Sequence, residues 1–160
     1  MTIRPATHED RADIWRVLEP AFRAGETYPL ERNISEAEGL AFWLAPHHAA
    51  FVAVEDGRIL GTYFLRANQS GAGSHVANCG YVTAPEATGR GVASAMCAHS
   101  LDAARARGFR AMQFNYVVST NERAVALWRR LGFEIVGRLP GAFAHPAHGF
   151  VDALVMFREL

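Results

Sequence analysis

The stretch Val82-Thr83-Ala84-Pro85-Glu86-Ala87-Thr88-Gly89-Arg90-Gly91-Val92-Ala93 decides how this chain is read. An apolar run enters a Gly-x-Gly loop, and the loop opens straight into an Ala-rich segment with helical spacing. Glycines let a backbone approach a ligand closely, and a helix start presents unpaired N–H groups at the positive end of its dipole. Together they suit a phosphate or pyrophosphate, to which Arg90 would add a charge-assisted contact; the same residues also make an ordinary tight turn. Two phosphate-binding patterns fail. No Gly-Lys-Ser/Thr follows the glycines, which removes the Walker loop. Ser94 stands where the dinucleotide fingerprint needs its third glycine, and the next strand, 112–118, brings no acidic residue for a ribose. Coenzyme A is the third reading.

Outward from this loop the periodicity alternates between strand and helix. Residues 2–5 form an opening strand. Thr7 offers an N-cap before Glu9 and Asp10, and Ile14, Leu18, Ala21 and Phe22 follow at helical spacing. Pro20 is expected to kink or end this helix, with Gly25 as a stop. Ser35-Glu36-Ala37-Glu38 reads as a capping box, and Pro46 closes that helix. Runs 50–55 and 58–65 are strands joined by Asp56-Gly57, a two-residue hairpin signal. A strand at 75–82, the loop 85–91, a helix at 92–107 and a strand at 110–118 come next. Ser119-Thr120-Asn121-Glu122 is a second capping box, followed by Ala124, Leu127, Trp128 and Leu131, with Gly132 at the helix end. Runs 133–139 and 150–157 close the chain, leaving 68–74 and 140–149 as loops. The order β-α-α-β-β-β-α-β-α-β-β is mixed α/β, neither a TIM barrel nor a doubly wound sheet.

Composition excludes several function classes. The 160 residues suit a single domain, 1–160. Lys+Arg and Asp+Glu are 16 each, so no positive excess favours nucleic acid or an anionic membrane. No apolar run approaches the roughly 20 residues of a spanning helix, and the N-terminus shows no signal peptide. Cys79 and Cys97 fit neither a disulfide framework nor a zinc site and suit a reducing cytosol, so a cytoplasmic location is expected. His145-Pro146-Ala147-His148 offers two metal ligands, which is too few, and no metal is expected.

The loop resembles the pyrophosphate loop of the GCN5-related N-acetyltransferase (GNAT) family, Arg/Gln-x-x-Gly-x-Gly/Ala between the fourth strand and the third helix. Gly91 and Ala93 match its last two fixed positions, and Thr88 departs where Arg or Gln is usual. The run from Asn121 to Phe133 is similar to the family's Asn-x-x-Ala-x-x-Leu-Tyr-x-x-x-Gly-Phe block, with Trp128 in place of the Tyr. The resemblance implies a mostly antiparallel sheet with splayed strands four and five, flanked by about four helices. It also implies transfer of an acetyl group from acetyl-CoA to an amine by direct attack in a ternary complex, with a small-molecule amine and a homodimer as partners. Tyr81, Val82 and Thr83 would line the pantetheine arm, and Thr88, Gly89, Arg90, Gly91, Val92 and Ala93 the pyrophosphate. The Val82 N–H is the expected oxyanion donor.

The family's Tyr protonates the departing thiolate; an indole at 128 cannot, although a thiol of pKa roughly 8.5 is already a fair leaving group. Trp128 therefore either packs in the core or lies beside the cofactor. Asn121 is expected to face the cofactor, its alternative being the N-cap itself. Glu26 and Tyr28 lie where the family builds its acceptor wall. Asn78 and Asn115 are unusual in strand interiors, and two amide donors suit a carboxylate better than a polyamine; alternatively they satisfy backbone at a bulge. With the run 114–121 they resemble the fungal acetyltransferases that act on azetidine-2-carboxylate and other proline analogues, which implies an amino acid or analogue as acceptor. Glu26, His75, Tyr116 and a water chain are open as the general base. A non-catalytic acyl-CoA sensor is the rival reading, kept alive by Trp128.

Overall fold

A computed structural model describes residues 1–160. Seven strands form one sheet in the order β1-β2-β3-β4-β5-β7-β6: β1 (Thr2–Pro5), β2 (Ala49–Glu55), β3 (Arg58–Ala67), β4 (Val76–Thr83), β5 (Ala111–Val118), β6 (Glu134–His145) and β7 (Gly149–Glu159). All neighbours are antiparallel except β4 and β5, which run parallel. Four helices flank the sheet: α1 (Arg11–Ala24), α2 (Glu36–Trp43), α3 (Val92–Ala106) and α4 (Glu122–Arg130). The mixed α/β order and splayed sheet expected above are both present. β4 and β5 pair only at Val76–Ala111 and Ala77–Met112, then separate.

The local signals mostly act as read. Ser35 caps α2 in a reciprocal box with Glu38, and Asp56 (φ 50°) and Gly57 (φ 75°) take the left-handed conformations that a tight hairpin needs. Two expectations are corrected. α1 continues through Pro20, because this residue sits on the exposed side, where water can satisfy the carbonyl left without a donor. Most of the stretch 140–149 is strand rather than loop. β6 is an edge strand with register breaks at Ile135/Gly137 and Leu139/Phe143, which is where a sheet tolerates Pro140.

The core runs through both helical layers, from Ile14, Val17, Leu18, Phe22 and Trp43 to Met96, Leu101, Met112 and Phe133. At the first helix, Asp10 ties the chain ends of two elements together. It accepts two hydrogen bonds from the Arg4 guanidinium at 2.7 and 2.8 Å, and others from the Thr7 N–H (2.7 Å) and hydroxyl (3.0 Å). The Arg4 contact holds its carboxyl far below the usual carboxylate range. A depressed folded-state pKa stabilises above the unfolded value, about 3.9, and that stability is lost as pH falls through the folded value. Asp10→Asn is therefore expected to cost about 1–3 kcal/mol at pH 7 in denaturant unfolding, with the gap to wild type narrowing below about pH 4.

Candidate functional site

Where β4 and β5 part, the sheet opens into a cleft of about 810 Å³. Its two faces differ because side chains alternate along β4. On the α3–α4 face, the Tyr81 ring lies 5.1 Å from Trp128 and 5.8 Å from Phe114, and its hydroxyl bonds Ser100 Oγ at 2.7 Å. On the α1–α2 face stand Tyr28, Phe42, Phe64 and Arg66. Gly80 permits this, since a Cβ there would fall 2.6 Å from the Phe64 ring and 3.0 Å from the Tyr28 hydroxyl.

The glycine loop fits an anionic ligand. Gly89 (φ 82°) and Gly91 (φ 81°) are both left-handed, and a Cβ on Gly91 would meet nothing within 4 Å. Ala95 is the first α3 residue whose N–H finds a backbone carbonyl, that of Gly91 at 3.0 Å. The N–H groups of Gly89, Gly91, Val92, Ala93 and Ser94 have no backbone partner, the arrangement that binds phosphate at a helix start. Thr88 also lines the cleft. Arg90 does not: its guanidinium pairs with Glu55 on β2, away from the loop. Arg123 takes that place, its Nη2 3.9 Å from where a Gly89 Cβ would sit, and Arg130 lines the cleft from the other end of α4. Both lie on α4, and neither has a salt-bridge partner. No loop spacing could reveal them.

The register of β4 corrects the expected oxyanion donor. Ala84 N donates to Leu60 O and Asn68 N to Val76 O, so the paired positions, 62 with 82 among them, exchange hydrogen bonds between β3 and β4. Val82 N–H is thus directed at Thr62. The N–H groups of Tyr81 and Thr83 face the splay instead. The Tyr81 carbonyl on that same side accepts the Tyr28 hydroxyl at 3.0 Å.

Asn121 is itself the N-cap of α4, accepting from Ala124 N at 3.3 Å; Ser119 does not cap it. Its side chain still lines the cleft with its amide nitrogen unpaired by protein. Trp128 is 8% exposed and belongs to both the core and the cleft wall. Asn78 donates to Gln113 O at 2.9 Å across the opening and so holds the first unpaired carbonyl of β5. Asn115 and Tyr116 occupy a bulge between Phe114 and Val117, which turns both toward the cleft. Asn115 donates to Asn68 Oδ1 at 2.7 Å and accepts from Gln113 at 2.9 Å, and the Tyr116 hydroxyl donates to Ala142 O. Glu26 and His75 are exposed and lie outside the cleft lining. Among the lining residues there is no Asp, Glu or His. No group of three or more His, Cys, Asp or Glu is placed to hold a metal ion, and no helix is long and apolar enough to cross a membrane.

Known proteins share this fold. A solved GCN5-related N-acetyltransferase from Kribbella flavida is 40% identical and superposes with a TM-score of 0.95 over 99% of this chain and 97% of its own. A phosphinothricin acetyltransferase from Sinorhizobium meliloti, solved in complex with AcCoA, is 25% identical with a TM-score of 0.86 over 99% of this chain and 88% of its own. N-acetyltransferase aca1 of Schizosaccharomyces pombe is 27% identical over 148 residues, 82% of this chain and 71% of the relative. The acetyltransferase (GNAT) family profile matches residues 11–133. With that match spanning the glycine loop, the splay and α4, the chain belongs to the GNAT family of N-acetyltransferases.

Proposed function

We infer that this protein, acting as one domain, moves the acetyl group of acetyl-CoA to the amine of a small molecule, an amino acid or analogue, by direct attack. The observation that carries this is the single cleft in which the unpaired loop amides and the open edge of β4 face the same space. Acetyl-CoA supplies the activated acetyl group. The loop amides and Arg123 bind its phosphates, and the Thr83 N–H takes the pantetheine arm. Tyr81 N–H replaces Val82 N–H as the donor to the thioester oxygen, where charge develops during attack. Trp128 packs beside the arm and gives up no proton, so the thiolate leaves unaided.

No Asp, Glu or His lines the cleft, and the Tyr116 hydroxyl there is tied to Ala142 O. Burial pushes the Cys79 thiol up to about 12 and raises the Tyr28 and Tyr81 hydroxyls well above their ordinary value. The acceptor must arrive as the neutral amine. Below the acceptor's own amine pKa, kcat/KM should rise about tenfold per pH unit, and the midpoint should move with that pKa across a set of acceptors. A midpoint that stays fixed across acceptors would reveal a protein base.

Thiol detection with acetyl-CoA and a panel of amino acids and amines tests the function itself. Amine-dependent thiol release is expected. Tight acetyl-CoA binding with no amine-dependent release would instead make the chain a sensor.

A further inference from the structure

Three arginines line the cleft, and no acidic side chain does. Arg123 stands beside the glycine loop, and Arg130 lies at the far end of α4. Arg66 stands apart from them. It lies on β3 opposite Asn78, three residues before Tyr81 along the paired strand, or about 10 Å from the proposed reaction point. Its Nε donates to Asn78 Oδ1 at 3.3 Å, and Asn78 is fixed in turn by Gln113 O. The remaining guanidinium nitrogens have no hydrogen bond within the protein, and no carboxylate lies within 4 Å.

A half-buried guanidinium held at one nitrogen and open at the others is prepared for a planar anion, which it can grip with two parallel bonds. The surroundings add an apolar wall. Phe42 meets Phe64 edge-on at 6.0 Å, and His48 stacks on the other ring at 4.2 Å. Burial lowers the His48 pKa, which favours its neutral ring beside the Arg66 charge. Asn78 and Asn115 already donate within the protein, which makes them supports of this site more than its main donors.

We propose that Arg66 binds the carboxylate of the acceptor and selects amines that carry one, with Asn78 as its positioning residue. This rests on the acetyl-transfer reading and deepens it: cationic polyamines meet a like charge with no acid to offset it, whereas an amino acid meets its counter-ion.

The test uses thiol release with three acceptor sets, namely free amino acids, the same amino acids as C-terminal amides, and polyamines, for the wild type, Arg66→Gln and Arg66→Lys. The wild type should prefer the free acid to its amide by at least about tenfold in kcat/KM. Arg66→Gln should lose about thirty- to a hundredfold on the free acid, little on the amide, and nothing in the KM for acetyl-CoA. Arg66→Lys should fall between, since it keeps the charge without the fork. A wild type that shows no acid preference, or variants that lose equally on acid and amide, would overturn the role of Arg66 while leaving the transferase reading intact. Absence of release with every amine would instead sink the transferase reading, and this one with it.

Discussion

Gly91→Val should weaken acetyl-CoA binding by at least about a hundredfold, measured by calorimetry or fluorescence titration. The size follows from losing two hydrogen bonds to a charged phosphate at roughly 1.5 kcal/mol each, with about 1.4 kcal/mol per factor of ten. Gly91 is the N-cap of α3 in a left-handed conformation, and its Cα faces open space. A valine there would project into the volume the pyrophosphate is proposed to fill. It would also hold a branched residue at φ 81°, a strain of order 1–3 kcal/mol that the native fold should survive. Gly91→Ala separates the two effects, since it carries strain with a smaller obstruction and should bind better than the valine variant. Equal binding by wild type and Gly91→Val would reduce the loop to a turn.

Trp128 should divide stability from chemistry. Trp128→Ala removes a ring that touches Tyr81 and Phe114, both at 5.1 Å, and Phe114 stacks on Phe133 at 4.2 Å. A cavity at that junction should cost about 3–5 kcal/mol in thermal or denaturant unfolding. Trp128→Phe keeps most of the volume and discards the indole N–H. Its kcat should stay within a few-fold of wild type, because no proton passes through residue 128. A large fall in kcat for Trp128→Phe, with normal stability, would mean that the indole N–H acts on the reacting atoms.

The fold was legible where local chemistry dictates it. The Ser35 box, the Asp56-Gly57 turn, the two glycines before α3 and the αL stop at Gly25 each determine their own backbone, and together they mark out the order of elements, whereas the pairing of strands followed only from the family resemblance. The site was legible in its outline, since Tyr81, Asn121 and Trp128 line the cleft together with the loop, and not in which atom does what. Which N–H of β4 faces the splay depends on the parity of pairing with β3, so Val82 and Tyr81 cannot be told apart from sequence. Arg90 is lost to Glu55, 35 residues away, and the arginine that replaces it comes from a different helix. Arg66 looks like any polar strand residue until the β3–β4 register sets it against Asn78 at the mouth of the opening. Asn121 was ambiguous because one amide can cap a helix and face a ligand at once.

The opening between β4 and β5 also bears on solubility. Unpaired strand edges are templates for the backbones of other chains, and long flat ones invite aggregation. At its outer margins this sheet ends on β1, four residues long and closed by Pro5, and on β6, broken by two register shifts and carrying Pro140. The two inner edges carry no such protection in their own sequence. They are flanked by Tyr81 and Trp128 on one face and Tyr28 and Phe64 on the other, so a pleated strand entering there would have to fit its own side chains among aromatic rings on both faces. The fold can therefore keep free backbone donors permanently available without offering them to a neighbouring polypeptide.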